Sequence, residues 1–262
     1  MKKLNILTYV VLACLLVVSA IGFDGKVNAK PKNDPENNGV PAFGVMKKNY
    51  VAWWEEKAKH DEYAKEQWET FNQLNEGQKN KFLKAILDGK TTREALDKWA
   101  DKSLPQNEVV PVGDSGVYVK ATSKWLDKKG KAIKNVRAAS ELPDGSYYYR
   151  YERDLGYIIG DHELNTSKVH VTVFATVKDG EIQADNATGG HSNINPFLEI
   201  RDGVSSSFTQ GDRAVGNQPF EVVASAFGFI DMDFLSRSLN LYSYIDKSSG
   251  TAGGWAEFEE IF

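Results

Sequence analysis

The chain has 262 residues, with 32 Lys and Arg against 36 Asp and Glu, 41% hydrophobic residues and a single Cys. One cysteine excludes an intramolecular disulfide framework and a cysteine-rich zinc site, and the apolar content excludes wholesale disorder. No long apolar run follows the first 25 or so residues, which excludes a bundle of membrane helices, and no basic stripe exists for tracking nucleic-acid phosphates.

The N-terminus reads as an export signal. Lys2 and Lys3 precede an uncharged run rich in Val, Leu and Ala from Ile6 to Phe23. Val27-Asn28-Ala29 follows and suits signal-peptidase cleavage after about Ala29. The composition resembles that of Gram-positive secretory signals. The alternative is a membrane anchor left uncleaved, because the apolar run of about 18 residues reaches the lower limit for spanning a bilayer. Cys14 sits inside that run rather than at its end, which argues against a lipoprotein. Cleavage leaves a mature chain without cysteine, as suits an oxidising exterior. The expectation is a secreted protein with no integral membrane association once the signal is removed.

Residues 30–44 carry Pro31, Pro35 and Pro41 among polar neighbours and read as a flexible leader. From 45 to 104 the texture is helical, with no proline between Gly44 and Leu104 and apolar residues recurring at helical spacing. Tyr50, Trp53, Trp54, Trp68 and Phe71 share one side. Lys57 and Asp61 interrupt that stripe, so one long helix or two shorter ones fit. Asn75-Glu76-Gly77-Gln78 reads as a capping box opening a further helix, which Asp88-Gly89 ends. Thr91-Thr92-Arg93-Glu94 reads as a second capping box, opening a helix with Leu96 and Trp99.

From 105 to 262 the pattern changes to alternation. This region holds 16 Gly and has 15 basic residues against 22 acidic ones, a balance of −7. Val169, Val171, Val173, Ala175 and Val177 fall on one strand face, with His170, Thr172, Phe174 and Thr176 on the other. Asp179-Gly180 is a hairpin signal leading to a strand at Glu181–Asp185. Further strands are expected at Gly116–Thr122, Lys131–Ala138, Ser146–Tyr151, Phe197–Arg201, Phe220–Phe229, Ser236–Ile245 and Trp255–Ile261. The fold class that follows is α+β: an N-terminal helical segment, then an antiparallel β-sandwich or barrel-like domain.

Candidate chemistry is sparse. Gly113-Asp114-Ser115-Gly116 resembles the nucleophile segment of chymotrypsin-like serine proteases, in which a histidine takes the serine proton. The only histidine upstream is His60, on an expected helix, so the segment reads as a polar turn entering the strand at Val117. Asp161-His162-Glu163 reads as a loop rim. His162, His170 and His191 lack the fixed spacing of a zinc site, so no metal site and no cofactor are expected. Gly189-Gly190-His191-Ser192-Asn193 reads as part of a long connection from Asn186 to Asn195, with two glycines that permit close backbone approach. His191 there is the best-placed general acid–base, with His162 and Glu163 as lesser catalytic candidates. Tyr147, Tyr149 and Tyr151 point one way on a strand, and one set of these tyrosines could form a platform for a glycan or a protein.

These readings make the chain a secreted, non-enzymatic extracellular or cell-wall-associated binding protein whose β domain recognises a glycan or protein ligand. The alternative is an extracellular hydrolase using His191 and neighbouring carboxylates.

Overall fold

The computed structural model describes residues 43–133, 141–196, 198–224 and 237–260. The export signal, Cys14, the leader up to residue 42, parts of the strands expected at 131–138, 220–229 and 255–261, and the first residue of those expected at 197–201 and 236–245 lie outside the described residues.

Four helices come first: α1 (Phe43–Lys57), α2 (Glu62–Gln73), α3 (Glu76–Ile86) and α4 (Gly89–Trp99). The interruption at Lys57 and Asp61 marks a true break. Asp61 is the N-cap of α2, accepting from the Ala64 amide at 3.0 Å, and Lys57 pairs with its carboxylate at 3.1 Å. The capping box of α3 forms as expected, with Asn75 and Gln78 each accepting from the other's backbone amide. The start of α4 differs from expectation. Asp88 is its N-cap, accepting from the Thr91 amide, so Gly89 opens this helix rather than ending the previous one, and the Thr91 box is not used. Asp88, three residues before Thr91, accepts the amide hydrogen bond that a Thr91 capping box would have given to Glu94.

Ten strands follow. The first sheet is an antiparallel meander of β1 (Val109–Val112), β2 (Val117–Leu126), β3 (Gly145–Ile159), β4 (His162–Lys178) and β5 (Glu181–Asn193). The second contains β6 (Leu198–Asp202), β7 (Ser206–Gln210), β8 (Arg213–Ala224), β9 (Arg237–Asp246) and β10 (Thr251–Glu260), in the order β10-β9-β8-β6, with β7 also on β8. The chain is therefore α+β, helices first and two antiparallel sheets after. Its β4 and β5 lie against β8 and β9 as a sandwich.

The expected alternation of β4 holds: Val169, Val171, Val173, Ala175 and Val177 are all buried. The Asp179-Gly180 turn also holds, with both residues at positive φ (53° and 77°), as a two-residue hairpin requires. Gly113-Asp114-Ser115-Gly116 is the β1–β2 turn, and the Ser115 hydroxyl donates to the Val112 carbonyl at 3.0 Å.

The inward face of the first sheet has two covers. At one end Tyr149, Val173 and Ala175 pack with Ala214 and Ile245 of the second sheet. At the other, Val117, Val119, Leu155, Tyr157 and Leu164 share a core with helical Trp54, Phe71, Phe82, Leu96 and Trp99. Trp54 is the hub of this end, fully buried, with its ring 5.1–5.8 Å from those of Tyr50, Trp68, Phe71 and Phe82, and Phe82 meets Tyr157 edge-on at 5.2 Å. Truncating such an indole to alanine costs about 3–5 kcal/mol. Of the aromatic stripe of the helices, Tyr50, Trp54 and Phe71 are buried within this chain, Trp68 is half-buried, and Trp53 keeps an exposed face. A register shift between Leu155 and Gly156 leaves Thr166 as the extra residue on β4. The Asn165 amide beside it donates to the buried side chain of Gln67 on α2, at 2.9 Å.

Candidate functional site

The segment from Asn186 to Asn193 is strand, not the connection its sequence suggests. It pairs with β4 through Ser167↔Asn193, and Gly189 stands opposite Val171. Gly189 follows from sheet packing. A Cβ on Gly189 would lie 2.4 Å from Cγ of Gln218 on β8 and 2.6 Å from the His170 carbonyl oxygen. The partner that the bare backbone approaches is the second sheet, and the end of β5 lies directly against Gln218 of that layer.

That end forms one wall of a cleft of about 380 Å³. His191, Ser192 and Asn193 line it from β5, Leu198, Glu199 and Ile200 from β6, and Tyr50, Trp53, Lys57 and Asp61 from the helical side. The Tyr50 hydroxyl ties α1 to the strand end by donating to the Ile194 carbonyl at 2.9 Å. Trp53 stacks on Tyr50 with centroids 5.7 Å apart and planes at 25°, and is 37% exposed. The Asn193 side chain serves the frame. It accepts from the Ser167 hydroxyl at 2.7 Å and donates to the Leu198 carbonyl at 2.5 Å, which fixes the short β5–β6 connection.

His191 faces inward, opposite Val169, and its Nδ1 lies 2.8 Å from Oδ1 of Asp202 at the end of β6. A neutral imidazole that donates from Nδ1 to this carboxylate keeps an acceptor lone pair on Nε2. Partial burial pushes the Asp61 carboxyl up, but the Ala64 amide and Lys57 outweigh it and hold the group below the usual aspartate range. Glu199 pairs with Arg201 at 2.8 Å. The arrangement offers one aromatic face, several carboxylate oxygens and an oriented imidazole around one small space.

The remaining sequence candidates lie elsewhere. Asp161-His162-Glu163 is no loop rim: a tight turn at Gly160 and Asp161 leads straight into β4, which carries His162 and Glu163. Glu163 pairs with Ile158 on the outward face and accepts from the Tyr118 hydroxyl at 2.5 Å. His170 also faces outward, and burial, with Arg150 adding to it, lowers its pKa to about 4. His162 and His170 stand roughly 25 Å apart along β4, so the three histidines do not meet. Among the described residues no group of three or more His, Cys, Asp or Glu is placed to hold a metal. Tyr149 and Tyr151 are buried on the inward face and Tyr147 is half-buried with its hydroxyl on the Pro143 carbonyl. These tyrosines pack the sandwich, and only Tyr147 keeps surface that a ligand could touch. Sequence reasoning missed Asp202 and the cleft-side roles of Trp53 and Asp61, since they come from β6 and the helices and meet His191 only through tertiary packing.

No protein-family model, curated protein or solved structure matches this chain.

Proposed function

We propose that this is an exported, non-enzymatic binding protein, extracellular or associated with the cell wall, whose glycan or protein ligand seats in the cleft between α1 and the β5–β6 end of the sandwich. The observation that carries the reading is the convergence there of exposed Trp53 with the oriented His191–Asp202 pair. Binding sites combine an apolar or aromatic wall with a few fixed polar groups in this way. Export rests on the pattern of residues 1–29, and the uncleaved anchor is its alternative. Culture fractionation with N-terminal sequencing tests it, with a mature chain starting at about Lys30 as the expected result.

A hydrolase is the second reading, and the His191–Asp202 hydrogen bond favours it. A carboxylate that orients an imidazole is the device by which a general base is prepared. Against it, among the described residues the His191 side chain has no hydroxyl or thiol as a hydrogen-bond partner, so a water would have to be the nucleophile. Purified protein and its His191→Ala variant, assayed on glycan and peptide substrates, separate the two. Binding without turnover supports the first reading, and turnover abolished by the substitution establishes the second.

A further inference from the structure

The charges around the cleft point to one chemical class of ligand, a deduction that rests on the cleft being the binding site. The Lys57 ammonium that lines it, the His191 imidazole and the Arg201 guanidinium next along β6 each already have a carboxylate partner. Lys57 is 3.1 Å from Asp61, and His191 is 2.8 Å from Asp202. Arg201 is bound by Glu199 at 2.8 Å and Glu221 at 3.2 Å. An incoming phosphate, sulfate or carboxylate would find no unpaired cation among the lining residues and would meet Asp61 and Glu199 instead.

A cationic ligand fits the surplus of carboxylates but not the aromatic wall. The Lys57 ammonium stands 5.9 Å from the centroid of the Trp53 ring, so the indole already faces a cation. A second one placed there would be repelled.

What the site offers is a set of hydrogen-bond acceptors beside a partly exposed indole: Nε2 of His191, in the tautomer that donates from Nδ1 to Asp202, and the carboxylate of Glu199. This complements a ligand with many hydroxyl donors on one side and a C–H face on the other. We infer that the cleft between α1 and the β5–β6 end takes an uncharged saccharide, its ring laid against Trp53 and its hydroxyls donated to Glu199 and His191.

The test is an NMR titration of the full mature chain, following the Trp53 indole and His191 imidazole signals. The probes are a neutral trisaccharide of N-acetylglucosamine, maltotriose, trigalacturonate, an alkyl diamine and a tripeptide. The expected result is a saturable shift at both residues with at least one neutral trisaccharide and none with trigalacturonate. Trp53→Ala and Glu199→Gln should each weaken that binding by about tenfold or more. Glu199 is half exposed, so its variant remains informative should loss of Trp53 disturb α1. Shifts with trigalacturonate, the diamine or the tripeptide but with neither neutral sugar overturn the saccharide assignment and leave the cleft as a binding site. Silence at both residues with every probe overturns the assignment and the cleft reading together.

Discussion

The guanidinium of Arg153, on β3, donates from Nη1 to the carbonyl of Trp99, the last residue of α4, at 3.0 Å. Its Nη2 reaches the Asp101 carbonyl at 3.0 Å and its Nε the Tyr151 hydroxyl at 2.7 Å, and the side chain is fully buried. A helix ends with carbonyls that lack partners within it, and a cation there also meets the negative end of its dipole. The sheet thus supplies the C-terminal cap of α4 from within the core. Arg153→Met should lower the unfolding free energy by about 3 kcal/mol, because it leaves buried acceptors unpaired. Urea denaturation checks this, and a loss too small to measure would show that the cap does not stabilise the helix.

Two groups on the outward face of the first sheet, buried Asp154 and half-buried His170, should give opposite pH dependences. Burial raises the Asp154 carboxyl to about 6; Lys168, 3.5 Å from its Oδ1, lowers it only in part and makes no hydrogen bond to that oxygen. The folded state therefore holds this proton more tightly than the unfolded one. Its contribution is fully present below pH 4 and is lost as pH rises through about 6. Asp154→Asn should remove that loss and raise stability at pH 7 by the order of 2 kcal/mol. Denaturation midpoints across pH 4–7 test it.

His170 works in the other direction. With its folded pKa lowered to about 4, the unfolded state binds more protons between pH 4 and 6.5, and stability falls as pH drops through that window. The wild-type profile should be flatter than either variant's. His170→Gln should leave the downward slope with rising pH due to Asp154, and Asp154→Asn the upward slope due to His170. Parallel profiles for the two variants would contradict both assignments.

Gly189 should tolerate no side chain. In Gly189→Ala the methyl group would meet Gln218 and the His170 carbonyl at 2.4–2.6 Å, and a backbone carbonyl within the sheet has little room to yield. The expected cost is about 1–3 kcal/mol, together with displacement of His191 two residues on. Thermal unfolding measures the first, and the chemical shift of the His191 imidazole reports the second.

Local rules carried a good part of this architecture. Period-two alternation located β4, a dipeptide at positive φ located the β4–β5 turn, and the Asn75–Gln78 reciprocity located the start of α3. The misreadings arose where a local signal had a tertiary cause. The polar, glycine-bearing run to Asn193 looks like a loop because Gly189 serves contact with Gln218 rather than a turn. The strand from Gly145 to Ile159 is longer than expected because Arg153 and Asp154 break its apolar pattern, and their charges are answered by α4 and Lys168 rather than by solvent. His191 was legible as a candidate from its neighbours. Asp202, Trp53 and Asp61 were not, because nothing in a one-dimensional pattern says which distant residues a strand end will meet.

The two covers over the inward face of the first sheet share a single phase. Tyr149 under the second sheet and Tyr157 under the helices lie on the same β3 face, eight residues apart. Slippage of that strand by one position would turn the whole row outward and strip both covers at once. Alignment of the β3–β4 hairpin is thus proofread at each end by a different kind of neighbour, and an error that one would tolerate is rejected by the other.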